Sequence, residues 1–276
     1  MGVRFWIVLY LFMGFAYFLI LSEWEKLPDG NMHVVMMDVG QGESILIRTP
    51  SDQTILVDGG PDYSILERLG EELSFFKRDI DLVILTHPDS DHSTGLSRVL
   101  DRYTVKNILM TGVIKDNPRY DSFLNEVYES GAKVIFAQSN NDLDLDDGAM
   151  LDIIWPLENM FGKSHKKPNN VSIVAKILWK DHELLLTGDI EKEAEKEILM
   201  QPIDISADIL KVPHHGSKTS SSTGFIVAVN PSLAVVSAGK DNRFGHPARD
   251  IVSRYENLGA KVRSTSEEGR IELVLY

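Results

Sequence analysis

The sequence predicts an α/β fold of two sheets with helices on their outer faces, set behind one apolar N-terminal helix. Three observations carry that expectation. Residues 5–22 contain no charge. The first three strand candidates after them, 32–38, 44–48 and 54–58, come one after another without a helical pattern between, as an antiparallel meander does. Later strand candidates come after amphipathic helical segments.

The N-terminal run "FWIVLYLFMGFAYFLILSEW" has about the length needed to cross a bilayer, roughly 20 residues. Trp6 and Trp24 bracket it, as interfacial aromatics do. Arg4 and the terminal amine precede it, and Glu23 and Glu25 come after it. The positive-inside bias then places the N-terminus in the cytoplasm and the rest outside, on a single-pass anchor. The alternative is a signal peptide, with secretion after cleavage. Against it, the run is long for such a segment and no small-x-small cleavage site comes after it. The turn-rich "KLPDGN" (26–31) links this segment to the rest of the chain. The expected division is an anchor or signal segment with linker at 1–27 and one domain at 28–276.

Beyond the meander, strands are expected at 82–86, 106–110, 133–137, 151–155, 172–179 and 182–187. They continue at 207–212, 232–236, 260–264 and 270–275. Helices are expected at 63–75, 94–102, 119–130, 190–200, 220–229 and 248–257. "NNDLDLDDG" (140–148) reads as a solvated acidic loop. No repeat or low-complexity tract interrupts the pattern.

Composition narrows the chemistry. Net charge is −13, which argues against a general phosphate-binding surface. A metal site could still handle phosphate locally, because bound cations bring their own charge. The chain has no cysteine, so disulfides, thiolate nucleophiles and Cys-ligated zinc are all excluded.

The segment "VILTHPDSDHSTGL" (83–96) delivers His87, Asp89, Asp91 and His92 from the end of a buried strand. Unpaired charge there is costly, so the groups must pair or share a cation. The segment reads as a loop, with Ser93 or Thr94 capping the next helix. Imidazole and carboxylate are ligands for zinc or manganese. One such loop can serve two metals about 3.5–4 Å apart.

"THPDSDHSTGL" resembles the HxHxDH signature of the metallo-β-lactamase superfamily, with Asp89 in place of the second His. "TILVDGG" (54–60), "LLLTGD" (184–189) and "DILKVPHHGSKTSS" (208–221) resemble its other landmarks, in order. Together with "MMDVGQGESILI", "NNVSIVAKI" and "GHP", they are similar to the soluble hydrolase domain of ComEC-type DNA-uptake proteins. The resemblance covers residues 32–276 and implies a four-layer αββα sandwich. The multi-helix channel region and the nucleic-acid-binding module of that family have no counterpart in this chain, so DNA transport is not carried over.

The resemblance also implies roles. His87 and Asp89 hold a first divalent ion, Zn or Mn, and Asp91 and His92 a second. Asp189 bridges them and His215 completes the second site. Asp91, His214, Asn169 and His246 stand at the reacting centre. His214 contacts substrate or leaving group, and His246 lies at the mouth with Ser217 nearby. Asn169 stands where the superfamily usually supplies a His. Its amide oxygen is a weak ligand or bonds metal-bound water, while "PNN" also makes a good turn. Asp58 orients the metal loop through hydrogen bonds. The glycines of "DVGQGES" let that loop approach the site closely.

The implied activity is metal-assisted hydrolysis by water, on a phosphodiester, with single-stranded DNA among the candidate substrates. Two alternatives stand beside it: hydrolysis of a small envelope-derived phosphodiester or lactone, and a non-catalytic metal-binding relic. The membrane is the one partner surface inferred, and no protein partner is.

Overall fold

The computed structural model describes residues 3–24 and 26–276. Of the groups expected to flank the apolar run, the terminal amine and Glu25 lie outside the described residues. Helix α1 (Val3–Trp24) is about 33 Å long at 1.5 Å per residue. It is long and apolar enough to cross a membrane, and none of its apolar span is buried against the domain.

The first half of the domain runs β1 (Met32–Met36), β2 (Ile45–Arg48), β3 (Thr54–Val57), α2 (Ile65–Glu72), β4 (Asp79–Leu85), α3 (Ser90–Arg102), β5 (Thr104–Met110), α4 (Pro118–Ser130) and β6 (Lys133–Phe136). The second half opens with β7 (Leu143–Asp144), β8 (Met150–Trp155), β9 (Val174–Trp179) and β10 (His182–Leu186). It continues with α5 (Lys192–Leu199), β11 (Ile209–Lys211), α6 (Thr223–Val229) and β12 (Leu233–Val236). It closes with α7 (Arg249–Asn257), β13 (Lys261–Ser264), α8 (Thr265–Glu268) and β14 (Ile271–Leu275).

These strands form two seven-stranded sheets, ordered β14-β1-β2-β3-β4-β5-β6 and β13-β12-β11-β10-β9-β8-β7. The meander β1–β2–β3 is antiparallel as the sequence predicts, and β3 to β6 are parallel. The second sheet repeats the plan, antiparallel from β7 to β10 and parallel from β10 to β13. The last strand returns to pair with β1.

Alternation along each strand builds the layers. Val34, Ile47, Ile55 and Ile84 meet Leu151, Ile177, Leu184 and Ile209 between the sheets. Their neighbours Val35, Leu46, Leu56 and Val83 face outward onto α2, α3 and α4. Leu185, Leu210 and Ala234 face α5, α6 and α7. This is the expected four-layer αββα sandwich. Each side chain of this size, once buried, contributes about 1.5–3 kcal/mol.

Two local expectations need correction. Helix α3 starts at Ser90, not near residue 94, and Asp89 rather than Ser93 or Thr94 is its N-cap residue. Asp91 and His92 therefore sit in the first helical turn. Apolar periodicity begins only at Leu96, so it could not reveal a polar opening turn. The acidic stretch 140–148 contributes the short edge strand β7, because Leu143 pairs with Leu151 and packs on the core.

Candidate metal centre

The parallel strands of both sheets end on one rim, and the candidate residues collect there. His87 comes after β4, Asp91 and His92 open α3, Asp189 comes after β10, and His215 lies in a 3₁₀ turn after β11. His92 Nε2 is 3.4 Å from Asp189 Oδ2, and His215 Nε2 is 3.3 Å from the same oxygen. His215 Nε2 is 3.7 Å from Asp91 Oδ2. The rings of His87 and His92 have centroids 4.2 Å apart.

Close backbone approach makes this crowding possible. A Cβ on Gly95 would lie 1.9 Å from the Gly59 carbonyl oxygen, so α3 can seat against the 58–60 turn only with glycine there. A Cβ on Gly42 would lie 2.4 Å from the Asp91 carbonyl oxygen. The 38–44 loop thereby reaches the metal-loop backbone, and Glu43 N donates to Asp91 O at 3.3 Å. On the other side, His214, His215 and Gly216 are consecutively left-handed, with φ of 49°, 54° and 77°. Two non-glycine residues in that region store strain, which structures keep where side chains must be aimed.

Each buried imidazole is held by one nitrogen. His92 Nδ1 is 2.7 Å from Asp58 Oδ2, and His215 Nδ1 is 2.8 Å from the Ser237 carbonyl. His87 Nδ1 is 3.1 Å from Thr86 Oγ1, which itself donates to Asp58 Oδ2 at 2.7 Å. Thr86 N donates to Asp58 Oδ1 at 2.9 Å, so both Asp58 oxygens brace the loop from behind. This places the proton on Nδ1 and turns each Nε2 inward.

The inward atoms His87 Nε2, His92 Nε2, His215 Nε2 and Asp189 Oδ1 are buried without a hydrogen-bond partner among the described residues. Four unpaired polar atoms converging in one place are too costly to be incidental. Ligand atoms of His87, His92 and Asp189 lie within 4.8 Å of one another, as do those of Asp91, His92 and His215. Two further overlapping groups draw on Glu43, with Asp189 and His215 or with Asp58 and His92; N/O sets of this kind fit divalent cations, with the single inward nitrogen of His92 available to one cation.

The charges fit as well. Burial opposes ionisation of Asp189, but His215 and His92 outweigh it and hold its carboxyl well below the usual range. Burial also disfavours the cationic forms of His92 and His215. Asp189 overcomes it, keeping His92 well above the ordinary value and His215 at about 9. Burial, with His92 adding to it, lowers His87 to about 4, so its ring is neutral.

The remaining expected residues stand farther out. Asp89 Oδ1 is 3.8 Å from His87 Nε2 but only 2.5 Å from Lys115 Nζ, and it belongs to no metal-holding group among the described residues. His214 is partly exposed, with Nε2 3.9 Å from Asp189 Oδ2 and Nδ1 3.1 Å from Thr219 Oγ1. The half-buried His246 ring lies 5.9 Å from that of His214. Asn169 borders a groove of about 560 Å³ with Lys167, Glu191 and Thr219, outside the ligand groups. Its neighbour Asn170 is structural: it accepts from Glu191 N through Oδ1 at 2.8 Å and from Trp155 Nε1 through its carbonyl at 2.9 Å.

Sequence reasoning missed three charged residues. Lys211 and Glu43 form a fully buried ion pair directly behind the centre. Lys211 Nζ also donates to the Gly188 carbonyl at 3.0 Å and lies 3.6 Å from Asp189 Oδ1. Burial pushes the Glu43 carboxyl up, and Lys211 offsets part of that. The signal for Lys211 was available, as a lysine inside the apolar run "DILKVP". The third, Lys115, is an isolated loop lysine with no local signal.

The sandwich and its rim-mounted His/Asp cluster define a two-sheet α/β protein with a candidate metal centre. The chain belongs to the metallo-β-lactamase superfamily, whose family model matches residues 37–240. It is 29% identical to ComE operon protein 3 of Bacillus subtilis (strain 168), over 95% of this chain and 34% of that protein. It is also 29% identical to competence protein ComA of Neisseria gonorrhoeae, over 100% of this chain and 36% of that protein. The chain thus spans about a third of the length of these relatives. Among solved structures, the metallo hydrolase Igni18 of Ignicoccus hospitalis matches with a TM-score of 0.57 at 17% identity, covering 87% of this chain and 98% of that one. CmlA, a diiron β-hydroxylase of Streptomyces venezuelae, matches at 0.56 and 16% identity, covering 90% and 55%. At such identities the likeness speaks for the fold alone.

Proposed function

We propose that the chain hydrolyses phosphodiesters with two divalent cations, Zn or Mn, held by His87, Asp91, His92, Asp189 and His215, with Asp89 beside them. The observation that carries this reading is the set of four buried, unpaired polar atoms, three of them on rings fixed through Nδ1. Cations bound there supply Lewis acidity and lower the pKa of water to about 7.

The chain's own groups do the rest. Asp189 turns Oδ2 toward both His92 and His215 and leaves Oδ1 without a hydrogen-bond partner 3.6 Å from Lys211 Nζ, so the carboxylate would hold a cation chiefly through Oδ2, with Oδ1 open to a second. Burial keeps the His214 ring below its ordinary value, hence neutral, with Nε2 turned to the centre. It can take up a proton there or orient the leaving oxygen. His246 stands beside it at the mouth, and Asn169 borders the approach. Ser217 has no nucleophilic role in this scheme, in which water attacks; its Oγ shares a hydrogen bond with Thr219 Oγ1 at 3.0 Å.

The diester assignment draws on the resemblance of the motifs to phosphodiesterase-like members of the superfamily, and single-stranded DNA is one candidate substrate. A net charge of −13 favours a second reading, a small envelope-derived phosphodiester that needs no extended basic track. The N-terminal helix would anchor the domain outside the cytoplasm.

The test is turnover by the full chain, loaded with Mn or Zn, on bis-p-nitrophenyl phosphate, single-stranded DNA and a reporter cephalosporin. Metal-dependent cleavage of diesters without cephalosporin turnover is expected. Bound metal with no ester turnover would point to a metal-binding relic instead.

A further inference from the structure

Helix α1 does not leave the domain on a free tether. Glu23, in its last turn, accepts from Ser74 Oγ at 2.6 Å and from Phe75 N at 2.9 Å. Lys26 Nζ donates to the carbonyls of Gly70 and Leu73 at 2.9 and 3.1 Å, satisfying the C-terminal end of α2. Arg48 Nη1 donates to the Lys26 carbonyl at 2.8 Å. The joint draws the α2–β4 loop, residues 73–78, against the end of α1.

That loop presents Phe75 and Phe76, 67% and 81% exposed, with ring centroids 5.5 Å apart. With Ile20, Trp24 and Leu27 they line one open apolar hollow of about 710 Å³, continuous with the apolar surface of α1. A contiguous apolar patch of this kind marks an interaction surface. Arg78 lies 5.0 Å over the Phe75 ring, and Arg102 borders the adjoining cleft. Both arginines are exposed, and neither is in an ion pair among the described residues.

We propose that the 73–78 loop is a membrane-interface foot. Phe75 and Phe76 enter the headgroup–acyl boundary beside α1, while Arg78 and Arg102 meet the phosphates of anionic lipids. The proposal rests on α1 crossing the bilayer and is independent of the reaction catalysed. It fixes the direction in which the metal centre faces. The foot precedes β4, and His87 lies beyond the far end of that strand, about 20 Å away at 3.3 Å per residue. Helix α3 spans the same depth, with Asp91 at one end and Arg102 at the other. The centre therefore opens away from the bilayer, and substrate reaches it from the aqueous side.

The absence of cysteine makes single-cysteine labelling clean. Leu19→Cys, Phe76→Cys and Phe161→Cys full-length chains are labelled with an environment-sensitive fluorophore and reconstituted in phosphatidylcholine–phosphatidylglycerol vesicles. Quenching by lipid-borne nitroxides is compared with quenching by aqueous iodide. Phe161 is the reference: it is 62% exposed and packs on Phe136 at the metal-centre end of β6. The label at 76 should be quenched several-fold more by shallow lipid nitroxides than the label at 161, and less by iodide. Adding Arg78→Glu and Arg102→Glu should weaken lipid quenching at 76. Equal lipid quenching at 76 and 161, with 19 quenched by deep nitroxides, overturns the foot while leaving the anchor. No quenching at 19 overturns both. Iodide protection at 76 without lipid quenching means that a protein surface covers the pair, which also overturns the proposal.

Discussion

Lys211→Met should destabilise the domain more than a lone lysine in the sequence suggests. Both Lys211 and Glu43 are 0% exposed, and the lysine also serves the Gly188 carbonyl. Methionine fills the volume but supplies no donor. Glu43 and the carbonyl are then left buried and unpaired. Breaking a buried pair by removing one partner costs about 3–5 kcal/mol. For a chain of this size, each kcal/mol is worth about 2–4 °C, so the melting temperature should fall by about 6–20 °C. The assay is thermal unfolding of the detergent-solubilised chain in excess chelator, which removes any metal-linked stability. Glu43→Met and the double variant complete a mutant cycle. The double variant should recover at least about 2 kcal/mol, because no lone charge remains buried. Recovery stays partial, since the Gly188 carbonyl is still unpaired. A single-variant loss below about 1 kcal/mol, with additive effects in the double, would refute the account of the pair.

Asp189→Asn should keep the fold, lose one bound metal and slow diester hydrolysis by at least about 100-fold; metal analysis with circular dichroism and rate measurement checks this, and wild-type turnover with two metals bound counters it. Metal affinity should rise with pH up to about 9. In the metal-free centre His215, raised to about 9, and His92 both hold protons that a cation must displace from Nε2. Calorimetric titration in buffers of different ionisation enthalpy should count one to two protons released at neutral pH, and none released would contradict the assigned charges. Lys115→Met should free Asp89 and tighten Mn binding, read by titration; unchanged affinity would mean that Asp89 lies outside the metal set. Gly95→Ala should destabilise by about 1–3 kcal/mol or more, because its methyl meets the Gly59 carbonyl; denaturant unfolding at unchanged midpoint would show that the α3 contact yields easily.

Much of this molecule could be read from the chain. Strand and helix candidates from 32 to 275 fall on the observed elements, because alternating and 3.6-residue patterns report which face of each segment is buried. His87, Asp91 and His92 were legible as candidate ligands because groups delivered by one strand end are neighbours in sequence. Asp189 and His215 close the apolar runs "LLLTGD" and "LKVPHH", but their selection over a capping aspartate and over His214 came from the family resemblance. What lay beyond the sequence was every relation between such ends. That Lys115 holds Asp89 and that Glu43 backs Lys211 depend on which loops the two sheets bring to one rim. The start of α3 at Ser90 was also decided there, since its polar first turn carries no apolar period and is held by Glu43, Gly59 and Gly95 contacts. Local chemistry is written in adjacent residues, whereas the pairing of distant charges depends on strand order, which single-chain periodicity does not encode.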